Sequence, residues 1–316
     1  VSDAVSAVIL NWRTPEHTLR ARDALIADGL PAERVLIVDN ASGDGSLAAF
    51  AARAGSSPAL ALPENVGFAR ANNAGAHRLP AARAYLFVNG DAFVHRAGSV
   101  AALVAALARP GVGIAVPRLR NPDLTLQPSV VPQSAPLPEL VRASGLSRLV
   151  PNRWQPSLGT HWDHGGSRVI QSAIGPVLAV AAGAWDAVGG FDERIFMYGE
   201  DHDLFRRIRS AGYEARFVAE AEFIHLGGAS SAQRWGDAER AERVARAEAT
   251  TLVARLPAGR AQVTIGLMAG GVGIRSLVLR LGGRREAGAV QAGWFRGYRS
   301  ALRARSPARA RRASPR

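Results

Sequence analysis

The stretch VLIVDNASGDGSLAAF (residues 35–50) runs four apolar residues into Asp39-Asn40, turns through two glycines and continues as Leu, Ala and Phe. Unbroken Val, Leu and Ile over residues 35–38 mark a short strand buried on both faces. Gly43 and Gly45 mark the turn, and the apolar run after it, ending near Gly55, has the composition of a helix. A buried strand passing at once into a helix is half of a βαβ unit, so the fold turns on whether the pattern recurs.

It recurs on both sides. Residues 5–10 read as a buried strand ending at Asn11, and Thr14-Pro15 is an N-cap and first-turn pair that opens a helix to about Asp28, before Gly29. Residues 59–62 form a third strand leading into ENVGFARANNAG (64–75), and residues 85–88 a fourth ending in Asn89-Gly90-Asp91. A helix over 99–108 and a fifth strand near 112–116 follow. This alternation predicts a mostly parallel, doubly wound α/β sheet of Rossmann-like kind. Ligands of such sheets bind beyond the carboxyl ends of the strands, which is where Asn11, Asp39, Asn40, Asn89 and Asp91 fall. Asn and Asp are ordinary turn formers one at a time. Three strand ends pointing to one crevice predict a nucleotide-type site.

Composition removes several classes. A chain of 316 residues with 47% hydrophobic content can bury a large core. It has no cysteine, hence no disulfide framework and no thiolate metal site. The G-x-G-x-x-G fingerprint is missing after the first strand, which continues as NWRTPEH (11–17), so a dehydrogenase is disfavoured. There is no lysine, which excludes a G-x-x-x-x-G-K phosphate loop. The start of the chain shows no basic flank, signal-length apolar core and cleavage site, which predicts no export and a cytoplasmic protein.

GGFDERIFMYGEDHDLFRRIRSAGY (189–213) places carboxylates where a helix buries apolar surface. Leu204, Phe205 and Ile208 form a stripe that Asp201 extends backwards at i, i+3, i+4, i+7 spacing, and Gly212 supplies the stop. Glu200, Asp201 and Asp203 have two readings: acids favoured in the first turn by the positive helix end, or acids doing chemistry on the protected side.

After Pro117 the pattern loosens into RNPDLTLQPSVVPQSAPLPEL (120–140), and the irregular span to about Arg168 reads as an excursion over the sheet. His161 and His164 in it have no spacing that supports a metal site. Short strands are expected at 215–218 and 222–225, with His225 at the second strand's end a metal or diphosphate candidate. From Asp237 a helix runs to about Leu256. The apolar run 263–281 is interrupted by Arg275, Arg280 and several glycines and makes a poor membrane span; an interfacial helix or helical hairpin fits better, with Trp294, Phe295 and Tyr298 as interface anchors. The formal charge of +13 sits entirely at this end: from Arg240 on, 17 arginines face 3 acids. The stretch from Arg296 onward reads as a disordered tail drawn to anionic surfaces. The expected organisation is a catalytic domain over 1–240 and a helical, Arg-rich membrane-associating extension over 241–316.

VDNASGDGS, ENVGFARANNAG, LFVNGDAFV and GGFDERIFMYGEDHDL, in this order, resemble the family 2 glycosyltransferases of GT-A fold, and most of all the bacterial rhamnosyltransferases acting on lipid-diphosphate-linked sugars. The resemblance covers about residues 5–231. It implies an inverting transferase taking a sugar from a nucleotide-sugar donor, dTDP-rhamnose or a UDP-sugar, to a polyprenyl-diphosphate-linked saccharide at the inner face of the plasma membrane. It further implies Asp39 and Asn65 as holding the nucleotide, with Gly67 and Asn72 shaping the loop; Asn11, Asn40 and Asn89, by their places at the strand ends, are the other nucleotide-sugar candidates. Asp91 would bind Mg²⁺ or Mn²⁺, with His225 a later ligand; Asp201 would be the base, and Glu200 and Asp203 acceptor or support residues. The chain departs from the family in having Asn-Gly-Asp where relatives carry Asn-Pro-Asp or two acids, so that Gly90 is expected to loosen the turn.

Two competing functions make different demands. A sugar nucleotidyltransferase wants a Gly-rich, basic turn after the first strand, which NWRTPEH does not supply. A nucleic-acid arm is compatible with the arginines alone, but the aromatic and apolar segments beside them suit a membrane surface better.

Overall fold

The computed structural model describes residues 5–53, 55–131, 136–143, 149–154, 162–227 and 236–304. His161, the far side of the turn after His225 and the arginines beyond residue 304 lie outside the described residues. The chain divides into two compact units, Val1–Val131 with Trp162–Ser230, and Pro132–His161 with Ser231–Arg316.

In the first unit, β1 (Val5–Asn11) leads to α1 (Pro15–Ala27), β2 (Val35–Asp39) to α2 (Ser46–Arg53), and β3 (Ala59–Ala61) to α3 (Gly67–Arg78). Then come β4 (Ala84–Asn89), β5 (Ala92–Val94), α4 (Ser99–Leu107), β6 (Val112–Arg120), β7 (Leu126–Gln127) and β8 (Val130–Val131). The second unit contributes α5 (Pro136–Ala143), after which the chain returns as β9 (Arg168–Ile170), β10 (Ser172–Ala173), β11 (Val177–Ala181), α6 (Ala182–Val188), α7 (Glu200–Ser210) and β12 (Glu214–His225). The main sheet has the order β3-β2-β1-β4-β11-β6-β12-β5. Its first four strands are parallel, as is the β6–β12 pair, while β11 runs antiparallel between β4 and β6.

The sheet is covered on both faces. Val5, Ala7 and Ile9 of β1 pack with Ala21 and Leu25 of α1 and with Val100 and Leu103 of α4. Val8, one residue out of phase, faces the layer holding Ala69 and Ala71 of α3, Trp185 of α6, and Leu204, Phe205 and Ile208 of α7. Strand alternation thus assigns neighbouring residues to different cores. On the second face Phe87 stacks on Trp185 at 4.7 Å between centroids, and Phe191 meets both rings edge-on. Each such fully buried side chain contributes about 1.5–3 kcal/mol from apolar burial.

Three local expectations change. β6 runs through Pro117 to Arg120, because the proline lies opposite Val218, where the ladder with β12 is already irregular and a missing N–H is tolerated. The two short strands expected over 215–225 are one strand, β12, with that irregularity between Val218 and Glu222. Asn72 lies within α3, where its amide donates to the carbonyl of Phe68.

The second unit is built from α8 (Asp237–Arg255), α9 (Ala258–Leu281) and α10 (Arg285–Ala304), with α5 packed on α9. Its core holds Ala245, Ala249, Ile265, Met268 and Tyr298. The helix α10 continues beyond Arg296, where a disordered tail was expected, and Tyr298 is buried with its hydroxyl donating to Glu248 at 2.6 Å. Trp294 and Phe295 pack against the same core. Tyr298, expected as an interface anchor, therefore serves the interior, and Trp294 and Phe295 are half-buried against it. Among the described residues α9 alone is long and apolar enough to cross a membrane by length and composition.

Candidate active site

The strand ends are tied to one another by backbone hydrogen bonds. Asn40 N–H donates to Asn11 O at 3.0 Å, joining β2 to β1, and Gly90 N–H donates to Leu10 O at 3.0 Å, joining β4 to β1. Leu226 N–H donates to Asp91 O at 3.0 Å, which brings in the end of β12. The polar residues after these strands thus stand together at one end of the sheet.

At the β1–β2 end, Asn11 is fully buried and its amide donates to Asp39 Oδ1 at 2.6 Å and to Ser42 Oγ at 3.0 Å. Its own carbonyl accepts from Thr18 Oγ1 at 2.8 Å. Asp39 Oδ2 accepts from Ser42 N–H at 3.2 Å, the turn in which a side-chain oxygen mimics a backbone acceptor. Asn11 therefore orients Asp39, and Asp39 keeps accepting capacity on Oδ2. Ser42 and Thr18 were not singled out from sequence; the spacing Asp39-x-x-Ser42 is the signal that marks the first.

Asn40 governs the next loop. Its amide donates to Asn65 Oδ1 at 3.2 Å and to Gly67 O at 3.3 Å, and its carbonyl accepts from Val66 N–H at 3.0 Å. Asn65 Oδ1 also caps Gly67 N–H at 3.1 Å. Gly67 has φ +84°, and a Cβ there would lie 2.2 Å from Phe196 O, so both conformation and space require glycine. Phe196 O in turn accepts from Phe68 N–H at 2.8 Å, laying the segment before α7 onto the start of α3.

At the end of β4, Gly90 does not loosen the turn. A Cβ on it would meet Thr18 Oγ1 at 2.5 Å and Leu10 O at 2.9 Å, so the glycine lets β4 close on α1 and β1. Asn89 Oδ1 is buried without a hydrogen-bond partner. Asp91 is buried, and its Oδ1 lies 3.5 Å from Nε2 of His225, whose Nδ1 contacts Gln127 Oε1 at 2.8 Å. Gln127 was not anticipated; it comes from β7, far away in sequence, and also donates to His225 O. A partner on the far ring nitrogen fixes the orientation of an imidazole.

The acids of α7 separate by environment. Asp201 is half-buried, and its Oδ2 accepts from Gly175 N–H at 3.0 Å. The next residue, Pro176, receives Asn89 N–H on its carbonyl at 2.8 Å, so the Asp201 carboxylate stands beside the end of β4. Asp203 is buried and paired with Arg207 at 2.8 Å and Arg206 at 3.1 Å, and Arg207 also donates to Val188 O. Glu200 is buried with Oε2 unpartnered; burial first, and the neighbouring Asp201 charge second, push its carboxyl up to about 8. Glu200 therefore holds its proton to higher pH than an exposed carboxyl does. An acid held neutral in the fold and ionised in the unfolded chain adds stability that is full below about 4.5 and lost as pH rises through about 8. The wild-type melting temperature is expected to fall across that window more steeply than that of Glu200→Gln; parallel curves would show Glu200 ionised at neutral pH.

His164 is not brought to this crevice. Its ring stacks on Trp162, Nδ1 donates to Trp162 O at 2.8 Å, and Nε2 accepts from the N–H groups of Ser129 and Val130. Burial pushes its pKa down.

A family model described as the N-terminal domain of galactosyltransferase matches residues 166–229, which span β9 to β12. The chain is 31% identical over 242 residues, 71% of its length and 76% of the relative's, to N-acetylglucosaminyl-diphospho-decaprenol L-rhamnosyltransferase of Mycobacterium tuberculosis. It is similar in structure to the mannosyltransferase PcManGT of Pyrobaculum calidifontis, solved with GDP-Man and Mn²⁺, at TM-score 0.60 and 15% identity over 97% of this chain and 89% of that one. It is also similar to residues 1–349 of S. aureus TarS with UDP-GlcNAc, at TM-score 0.51 and 12% identity over 95% and 91%. The solved structures carry the fold and the curated relative carries the family: with its sheet wound as in the GT-A enzymes and its strand ends gathered around Asp39, Asp91 and Asp201, this chain belongs to the family 2 glycosyltransferases.

Proposed function

We propose that the enzyme transfers rhamnose, with inversion, from dTDP-rhamnose to a hydroxyl of a polyprenyl-diphosphate-linked saccharide in cell-envelope glycan synthesis. The observation that carries the reading is the placement of Asp201 beside the β4 end that bears Asp91, through Gly175 and Pro176. The relative of Mycobacterium tuberculosis supports the sugar and the acceptor by its name.

Asp201 is the base that takes the proton of the acceptor hydroxyl as the oxygen attacks the anomeric carbon. Gly175 N–H fixes one of its oxygens, and burial favours the protonated form of the neighbouring Glu200. Asp203, engaged by two arginines, anchors the helix rather than the acceptor. Asp39, oriented by Asn11 and Ser42, binds the nucleoside, and Asn40, Asn65 and Gly67 set the loop that closes over it, while Asn72 stands in the helix that follows, bonded to Phe68.

Mg²⁺ or Mn²⁺ fits the end of β4. Among the described residues no group of three or more His, Cys, Asp and Glu is arranged to hold a metal ion by itself. Asp91 and His225, with the unpartnered Asn89 Oδ1 close by in sequence, supply the one to three protein ligands that a hard cation needs when diphosphate and water complete its shell. The bound cation would neutralise charge on the departing nucleoside diphosphate.

The first unit is the catalytic body. The second places the enzyme on the anionic inner face of the plasma membrane, where such an acceptor resides; nucleic acid is not the partner. A donor panel of dTDP-rhamnose and the common UDP- and GDP-sugars, with a lipid-diphosphate-linked N-acetylglucosamine acceptor, tests the chemistry. Turnover with dTDP-rhamnose and release of dTDP is expected. Turnover confined to a UDP- or GDP-sugar would overturn the donor, and pyrophosphate release from a nucleoside triphosphate and a sugar phosphate would indicate nucleotidyl transfer.

A further inference from the structure

The helix α9 is apolar on two opposite sides, and only one of them is used. Ala261, Thr264, Ile265, Met268 and Ala269 are buried in the helical unit. On the other side Val263, Ile274, Leu277 and Leu281 recur at helical spacing with Gly266 and Gly270 between them, and a Cβ built on either glycine would meet nothing within 4 Å. Ile274 is 64% exposed, Leu277 59%, Val278 61% and Leu281 79%. Leu137 and Leu140 of α5, which packs on α9, are exposed as well.

Charge selects the occupant. Between Glu248 and Glu286 the chain has no acid, while Arg260, Arg275, Arg280, Arg284 and Arg285 stand exposed along and just beyond α9. An apolar stripe edged only by cations complements a surface of apolar chains under anionic headgroups. The neighbouring helices decide between crossing and lying flat. The helix α8 presents the ion pairs Arg243–Glu239 and Arg246–Glu242, and Arg296 of α10 joins Glu242. A helix flanked by such pairs is not surrounded by lipid.

We propose that the outer face of α9, with Leu137 and Leu140 of α5, lies flat in an anionic bilayer at the boundary of headgroups and acyl chains, as a monotopic contact. This rests on the reading that the enzyme works on a membrane-borne acceptor. The face that meets the lipid is α9's own, and the aromatics of α10 stay inside.

The test uses the full chain with vesicles of phosphatidylcholine, alone or mixed with phosphatidylglycerol. Wild type is expected to bind the mixed vesicles and release at high salt, and the triple change Ile274→Ser, Leu277→Ser and Leu281→Ser to weaken binding on the order of tenfold or more with an unaltered melting temperature. As the chain has no cysteine, Leu277→Cys and Glu239→Cys each give one labelling site; an environment-sensitive dye should shift to the blue on vesicles at 277 and not at 239. Vesicle binding that the triple change leaves intact, with no shift at 277, would overturn this face while leaving the membrane reading standing. Absence of wild-type binding would overturn both. A wild-type dimer made monomeric by the triple change, without vesicle binding, would assign the face to a second copy of the chain.

Discussion

Asp201→Asn is expected to lower turnover by about 10²–10⁴ while the melting temperature stays near that of wild type. The asparagine keeps the shape and an oxygen for Gly175 N–H, so α7 stays docked through Leu204, Phe205 and Ile208. It removes only the capacity to take a proton. Saturation with donor should therefore change little, because the loss falls on the chemical step and appears in kcat rather than KM. Near-normal turnover in this variant would sink the assignment of the base. The neighbouring Glu200→Gln is the internal contrast: a neutral amide replaces a carboxyl whose protonated form burial already favours, and a much smaller loss is expected.

Asp91→Ala is expected to lower kcat/KM for the donor on the order of 10²–10³, comparable to removing one preorganised charge-stabilising contact. The backbone contact from Leu226 N–H to Asp91 O survives the change, so the β12 end stays in place. What disappears is the carboxylate facing His225 at 3.5 Å. A titration of Mn²⁺ against activity should move to much higher concentration, and wild type and variant should converge when the metal is chelated. Metal dependence unchanged in Asp91→Ala would remove Asp91 from the ligand set.

The parallel half of the sheet was legible because each of its strands carries its own local record: an apolar run, a polar residue at its end, a turn and a helix. Asn11, Asp39 and Asp91 were legible for the same reason. The antiparallel direction of β11 was not, since VLAVA reads the same whichever way a buried strand runs. Gln127, Gly175 and Thr18 were hidden because their work is done for residues distant in sequence. Glu222 shows the limit most plainly. It looks like a polar residue on a strand, yet it is buried and receives Arg96, Arg118 and Arg120, three arginines from two other parts of the chain. The three aromatics of α10 misled for a related reason: an amphipathic helix announces that it has an apolar face, while its neighbours decide whether that face meets protein or lipid.

The contact of Gly67 with Phe196 makes two distant segments one heritable piece. Residues 65–68 form the turn before the helix that follows β3 and residues 191–199 lead into the acidic helix, and the Phe196 carbonyl joins them through Phe68 N–H. Putting any side chain at Gly67 breaks that fit and disturbs the approach to Asp201. A change on either segment is therefore expected to be felt on the other, and variants that part them should lose transfer before they lose their fold.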